Sequence, residues 1–213
     1  VRFLDLFAGA GGLSCGLLDA GFESVYANEI DTSFSRTFGE NHKTTEIDNR
    51  DINSINISNE FRKYKKIELV VGGPPCQGFS QKGSRLGLKD KRNFLFNKFV
   101  QVVEVIRPSV FLMENVPNLL TTNNGYFFSL IQKYFMDLGY QIDSKVLNTY
   151  NYGIPQKRKR AFIIGNLMGT SFNFPTSINQ KVSVKQAISD LPKLNSGEGS
   201  NFVAYERRPQ SKY

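Results

Sequence analysis

The stretch RFLDLFAGAGGLSCGLLDAG (Arg2–Gly21) runs an apolar strand pattern into a glycine-rich turn and out along a helix. RFLDLF (Arg2–Phe7) reads as a short buried strand. Gly9, Gly11 and Gly12 permit a tight turn and a close backbone approach to a ligand at a helix N-terminus. Leu13, Leu17 and Leu18 then share one helical face, and Gly21 stands where a helix would close. Strand, turn and helix in this order open an alternating α/β chain, and the rest of the sequence continues the alternation.

SVYANE (Ser24–Glu29) is a second strand ending in an acid, and DTSFSRTFGEN (Asp31–Asn41) a helix with Asp31 or Thr32 as N-cap. IELVVGG (Ile67–Gly73) and SVFLMENV (Ser109–Val116) read as buried strands. Between them Leu95, Phe99, Val102, Val103 and Ile106 fall at helical spacing until Pro108. YFFSLIQKYFMDLG repeats the helical pattern through Phe127, Leu130, Ile131, Tyr134 and Leu138, and QIDSKVL and RAFIIGN give two further strands. The expectation is an α/β fold with a mostly parallel sheet and right-handed crossovers. After Gly165 the pattern loosens, apart from a short helix around Ser183–Leu191, and Asn195–Tyr213 reads as a basic loop.

Composition bounds the function. In 213 residues, 40% hydrophobic and 13% aromatic content suit one packed domain with an appended segment and exclude global disorder. No apolar run approaches the roughly 20 residues that span a bilayer, and no signal-peptide pattern opens the chain, so a cytoplasmic protein is expected. Two cysteines, Cys15 and Cys76, make neither a disulfide framework nor a zinc site, and no metal is expected. The net charge of +8 is uneven: residues 1–60 hold ten acids and four bases, leaving nine acids and twenty-three bases in 61–213. That balance of −6 against +14 points the later part towards a polyanion, slightly ahead of a merely solubilising surface.

In an open α/β sheet, ligands settle beyond the carboxyl ends of the strands. The turn at residues 7–12 stands there, although its third glycine falls too early for the G-x-G-x-x-G fingerprint. Glu29, twenty residues on, suits the two hydroxyls of a ribose, and Asp51 could accept from an adenine amino group with Ile52 packing nearby. Each acid alone could be an ordinary turn carboxylate; together they point to a nucleoside-bearing ligand. A cysteine follows two glycines and two prolines in VVGGPPCQGFS (Val70–Ser80). A free cysteine is usually a small buried hydrophobe, a role that suits Cys15. Prolines do not sit inside central strands, so that role is a poor one for Cys76. His42, the lone histidine, follows a helix and reads as a surface or capping residue.

These segments resemble, in order, the cytosine-5 nucleic-acid methyltransferases that use S-adenosylmethionine. DLFAGAGGLSCGL is similar to the family's cofactor turn, ANEID to its ribose-binding acid and GGPPCQGFS to its nucleophile loop. MENV is similar to its catalytic glutamate strand and GIPQKRKRAFIIG to its Q-x-R-x-R element. The likeness runs from Arg2 to about Gly165 and continues more weakly towards residue 199. It implies a Rossmann-like methyltransferase sheet of seven strands with the last, RAFIIGN, antiparallel. It also implies a catalytic and cofactor-binding domain over residues 1–170, and a linker over 171–213 towards a target-recognition region that this chain lacks. A second chain or that C-terminal region would then carry target recognition, and residues 1–213 alone would bind cofactor weakly.

The resemblance assigns roles residue by residue. Cys76 becomes the nucleophile that adds to cytosine C6, Glu114 the acid facing N3, and Arg158 and Arg160 the cations holding a base carbonyl or phosphate. Asn115 braces the nucleophile loop. The cofactor, S-adenosylmethionine with S-adenosylhomocysteine as product, falls to Phe7, Ala8, Gly9, Gly11, Gly12, Leu13, Glu29, Ile30, Asp51, Ile52, Gly73, Pro75 and Leu95. Duplex DNA falls to Ser80, Lys82, Arg85, Lys89 and Arg92, with Arg158 and Arg160. Lys82 and Arg85 lie near Cys76 in sequence and would favour its thiolate. Glu114 ends an apolar strand, where desolvation favours the protonated carboxyl. The basic, glycine-containing stretch Gln81–Asn93 suits a loop closing over a nucleic-acid backbone. The expected activity is methylation of a flipped-out cytosine in duplex DNA within a restriction–modification system. A transfer-RNA cytosine-5 methyltransferase and a non-catalytic cofactor-binding subunit are the alternatives.

Overall fold

In the computed structural model the described residues are 1–75, 94–179, 181–200 and 202–204. A seven-stranded sheet has the order β3-β2-β1-β4-β5-β7-β6. Its strands are β1 (Arg2–Leu6), β2 (Glu23–Asn28), β3 (Glu46–Asp48), β4 (Leu69–Gly72), β5 (Val110–Asn115), β6 (Gln141–Asn148) and β7 (Lys159–Asn166). The pairs β1–β2, β1–β4, β2–β3 and β4–β5 are parallel, and β7 runs antiparallel to β5. The expected sheet is therefore present, with RAFIIGN as its antiparallel strand. Order reverses between β1 and β4, so the crevice that such a sheet offers to ligands opens beyond Leu6 and Gly72.

The helices are α1 (Gly12–Asp19), α2 (Thr32–Asn41), α3 (Ile57–Glu60), α4 (Phe94–Ile106), α5 (Asn118–Thr121), α6 (Tyr126–Asp137) and α7 (Val184–Ile188). Asp31 caps α2, accepting from the amides of Ser33 at 2.8 Å and Phe34 at 3.1 Å. That settles the choice between Asp31 and Thr32. β3 and the short helical turns over residues 52–64 carry no sequence signal of their own: three residues are too few to display a period of two.

Side-chain alternation along the central strands divides the core in two. Leu4, Leu6, Val70, Phe111, Met113 and Ile163 face the larger apolar cluster, where Phe99, Phe135 and Tyr140 surround Phe111. Phe3, Leu69 and Val71 face the other side, covered by Leu13 and Leu17 of α1. Fully buried Ser14 takes the inward position next to them, which turns Cys15 to the outside. The buried role expected of Cys15 is thus corrected. His42 is the C-cap of α2, its N–H donating to Phe38 O at 2.8 Å, so its capping role stands. Its surface placement is corrected, because it is buried with its ring 4.3 Å from that of Phe38.

Two compact units divide the chain, Val1–Val146 with Arg160–Asn173, and Leu147–Lys159 with Phe174–Tyr213. Within the second, Asn151 accepts from Ile178 through its carbonyl (2.9 Å) and from Lys181 Nζ through its side chain (3.1 Å). A capping box formed by Ser183 and Gln186 starts α7.

Candidate active site

The glycine turn is shaped by what lies beneath it. Ala8 N–H donates to Asn28 O at 3.1 Å, and Phe7 and Gly9 both take positive φ, 59° and 57°. A β-carbon on Gly11, at φ 92°, would overlap His42 Nε2 and the ring of Phe38, so the turn rests directly on that pair. A β-carbon on Gly9 or Gly12 would meet nothing within 4 Å, which leaves the outer side of the turn open to a ligand. Glu29 ties the turn to the next strand: Oε2 accepts from Gly9 N–H and Oε1 from Asp31 N–H, both at 2.8 Å. Each carboxylate oxygen keeps a lone pair for a hydroxyl. Next to it Ile30 is 59% exposed, an apolar surface with no core to enter.

Asp51 accepts from Asn53 N–H through Oδ1 at 2.9 Å, while Ile52 is buried behind it. The structure thus supplies an open glycine turn, a fixed carboxylate, an exposed isoleucine and a second carboxylate. All lie within the first compact unit.

One residue under the turn gave no functional signal in sequence. Asp5 is buried and accepts from Ser14 Oγ at 2.7 Å. Burial pushes its carboxyl up to about 7, with the Ser14 hydrogen bond opposing and the charge of Glu29 adding to the rise. A lone aspartate in an apolar strand, nine residues before a serine, could have been read as a helix-to-strand tie.

At the end of β4 the sheet demands glycine. A β-carbon on Gly72 would overlap Leu6 O, and one on Gly73 would lie 3.2 Å from Glu114 Oε2. Glu114 follows Met113, the ladder partner of Gly72, so the carboxylate stands beside the corner formed by Gly73, Pro74 and Pro75. Its Oε1 accepts from Arg160 Nε at 2.7 Å, with the two side chains 28% and 23% exposed. Glu114 is therefore partly buried, as its place at the end of an apolar strand suggests, and half of an ion pair that the strand pattern does not reveal. Asn115 is buried and donates through Nδ2 to Pro74 O at 2.8 Å, while its Oδ1 accepts from Val116 N–H at 2.9 Å. The corner is thus braced from β5.

Leu95 is half-buried on α4 against the larger core cluster. Arg158, exposed, belongs to the second compact unit, where its N–H approaches Thr149 Oγ1 at 3.3 Å. Arg160, on β7, belongs to the first. Cys76, Ser80, Lys82, Arg85, Lys89 and Arg92 lie outside the described residues. Among the described residues no group of His, Cys, Asp and Glu could hold a metal ion.

A mostly parallel sheet with antiparallel β7, a glycine turn with a tethered acid at its crevice, and a braced corner beside a Glu–Arg pair match the methyltransferase class of α/β fold. The family model for C-5 cytosine-specific DNA methylases matches residues 1–211. The chain belongs to that family. It is 39% identical to the type II methyltransferase M1.HphI of Haemophilus parahaemolyticus, over 97% of this chain and 57% of that protein. It is 37% identical to M.AquIA of a Picosynechococcus strain, over 82% of this chain and 75% of that protein. Among solved structures, a putative DNA modification methyltransferase encoded within an E. coli prophage superposes with a TM-score of 0.76 at 31% identity. That match covers 91% of this chain and 56% of the other. DNMT2 of Spodoptera frugiperda, at 22% identity and a TM-score of 0.66 over 85% of this chain and 54% of that one, shares the fold. The chain spans little more than half the length of relatives such as M1.HphI and M.DdeI.

Proposed function

We propose that this chain carries the catalytic and cofactor-binding machinery of a DNA cytosine-5 methyltransferase of a restriction–modification system, acting on a cytosine flipped out of duplex DNA. The observation that carries the reading is the Glu114–Arg160 pair beside the Gly73–Pro75 corner, with Asn115 fastened to Pro74. When bound, S-adenosylmethionine supplies an electrophilic methyl group on a sulfonium. Phe7, Ala8, Gly9, Gly11, Gly12, Leu13, Glu29, Ile30, Asp51 and Ile52 would hold and orient its nucleoside and methionine parts, with Gly73, Pro75 and Leu95 closing the site towards the base.

Cytosine C5 is a weak nucleophile. Cys76, two residues along the chain from the braced Pro74, adds its thiolate to C6, and the C5–C6 π electrons move towards C5 and the N3 side of the ring. Glu114, carrying its proton in the complex with the base, donates it to N3 and neutralises the charge that the attack creates. Arg160 fixes the direction of the carboxyl through Oε1, and in this reading its guanidinium also faces the base carbonyl or a phosphate. Once C5 carries the methyl group, water takes the C5 proton, the C6–S bond breaks to release the Cys76 thiolate, N3 returns its proton to Glu114, and the ring is restored. A base within the duplex keeps C5 and C6 stacked away, so the target leaves the stack. Ser80, Lys82, Arg85, Lys89, Arg92 and Arg158 supply the contacts to DNA in this reading.

Duplex DNA containing 5-fluorocytosine tests it, because fluorine cannot leave as a proton does and the adduct accumulates. With S-adenosylmethionine present, a covalent protein–DNA band is expected and is lost in Cys76→Ser. No band with any duplex substrate sinks the proposal, and a band formed only with transfer RNA moves the substrate to RNA.

A further inference from the structure

Glu29 and Asp51 stand on different loops, joined by hydrogen bonds beyond the last ladder pair of β2 and β3. The parallel ladder of β2 and β3 pairs Tyr26, Ala27 and Asn28 with Glu46, Ile47 and Asp48 and ends with Glu29 N–H donating to Asp48 O at 3.1 Å. Past that bond, side chains take over the cross-loop hydrogen bonding. Asn28, buried at the end of β2, donates through Nδ2 to Asp48 O at 3.0 Å and Arg50 O at 2.9 Å. Asn49, exposed after β3, donates through Nδ2 to Glu29 O at 2.7 Å and Ile30 O at 3.0 Å. Each asparagine reaches into the other's loop and spends both of its amide protons on carbonyls there. The arrangement is reciprocal, and it joins the main chain on both sides of the two carboxylates.

We propose that Asn28 and Asn49 are positioning residues, a crossed clamp that fixes the span between the ribose-binding Glu29 and the adenine-binding Asp51 and so sets selectivity for the nucleoside of the cofactor. This rests on the assignment of Glu29 and Asp51 to the nucleoside. An aspartate in either place keeps the shape and loses both donors, so the residue type is specified by the geometry. A clamp in place before binding lowers the ordering cost of recognition and keeps hydroxyl and amino contacts in register with one another. Loss of the clamp lets either contact form at the expense of the other.

Binding of S-adenosylhomocysteine and its 2′-deoxy analogue to the protein, followed by calorimetry, tests the clamp. Asn49 is exposed, so Asn49→Ala leaves the core intact; its thermal midpoint serves as the folding control. The expected result is about a tenfold weaker binding of S-adenosylhomocysteine, for the loss of two hydrogen bonds of ordinary strength. The preference over the 2′-deoxy analogue should narrow by about threefold or more. Unchanged affinity, or an equal weakening of both ligands, overturns the clamp. Glu29→Gln is the separate check on the underlying assignment. If it erases the preference for the ribose hydroxyl while Asn49→Ala does not alter it, the clamp fails and the nucleoside reading stands. If Glu29→Gln changes nothing, the reading falls and takes the clamp with it.

Discussion

Asp5 is a carboxylic acid buried under the glycine turn with one hydroxyl, that of Ser14, to answer it. Its carboxyl is raised from 3.8 to about 7, chiefly by burial. Between those values the folded protein keeps a proton that the unfolded chain has released. Stability attributable to Asp5 is therefore full below about pH 4 and declines as pH rises to about 7, by at most about 4 kcal/mol. Asp5→Asn keeps the acceptor for Ser14 and removes the titration. Urea unfolding across pH 4–8 should show the variant gaining on the wild type as pH rises; parallel profiles would remove the assignment. Legibility at this scale was mixed. Glu29 and Glu114 announced themselves by ending strands, since a charge after an apolar run marks the rim of a sheet. Asp5 and His42 did not. Their roles depend on partners nine residues away and across a turn, and no local period connects Asp5 with Ser14, or Gly11 with the imidazole under it.

Elements were most legible where apolar residues repeat long enough to fix a period, as in α4, α6 and the buried strands. β3 escaped because an edge strand of three residues borrows its definition from β2, not from its own sequence. β7 was visible, but its direction came from family resemblance: RAFIIGN is equally apolar read either way. The packing of that strand makes a sharp prediction. Gly165 is the ladder partner of Phe111, and a β-carbon there would overlap the Phe111 ring, itself enclosed by Phe99, Phe135 and Tyr140. Gly165→Ala should cost about 1–3 kcal/mol, the range for overpacking a filled core. Chemical denaturation measures it directly, and a midpoint equal to the wild type would show that Phe111 can swing aside. A glycine in a strand interior signals a close approach in sequence, yet only the fold tells that an aromatic ring is what approaches.

For the whole molecule, charge divides unevenly between the parts proposed to bind cofactor and nucleic acid. The excess of fourteen positive charges in residues 61–213 is set against a net −6 in the part that holds the turn, Glu29 and Asp51. Nucleic-acid affinity should fall by at least about tenfold between 50 and 200 mM salt, through counterion release. Affinity for S-adenosylhomocysteine should change by less than about twofold across that range. Filter binding and calorimetry at matched salt give both numbers, and a common slope would refute the separation. The antiparallel run of β7 carries a last consequence, for assembly of the sheet. Glu114 is the ladder partner of Phe162, so Arg160 reaches it diagonally from the same face of the neighbouring strand. Slide β7 by one residue and it remains a strand, but every side chain changes face and the guanidinium points away from the carboxylate. The reaction would then stop while the sheet persisted. Under the proposed mechanism, turnover is thus also a proofreading signal, reporting that the last of the described strands was inserted in the right frame.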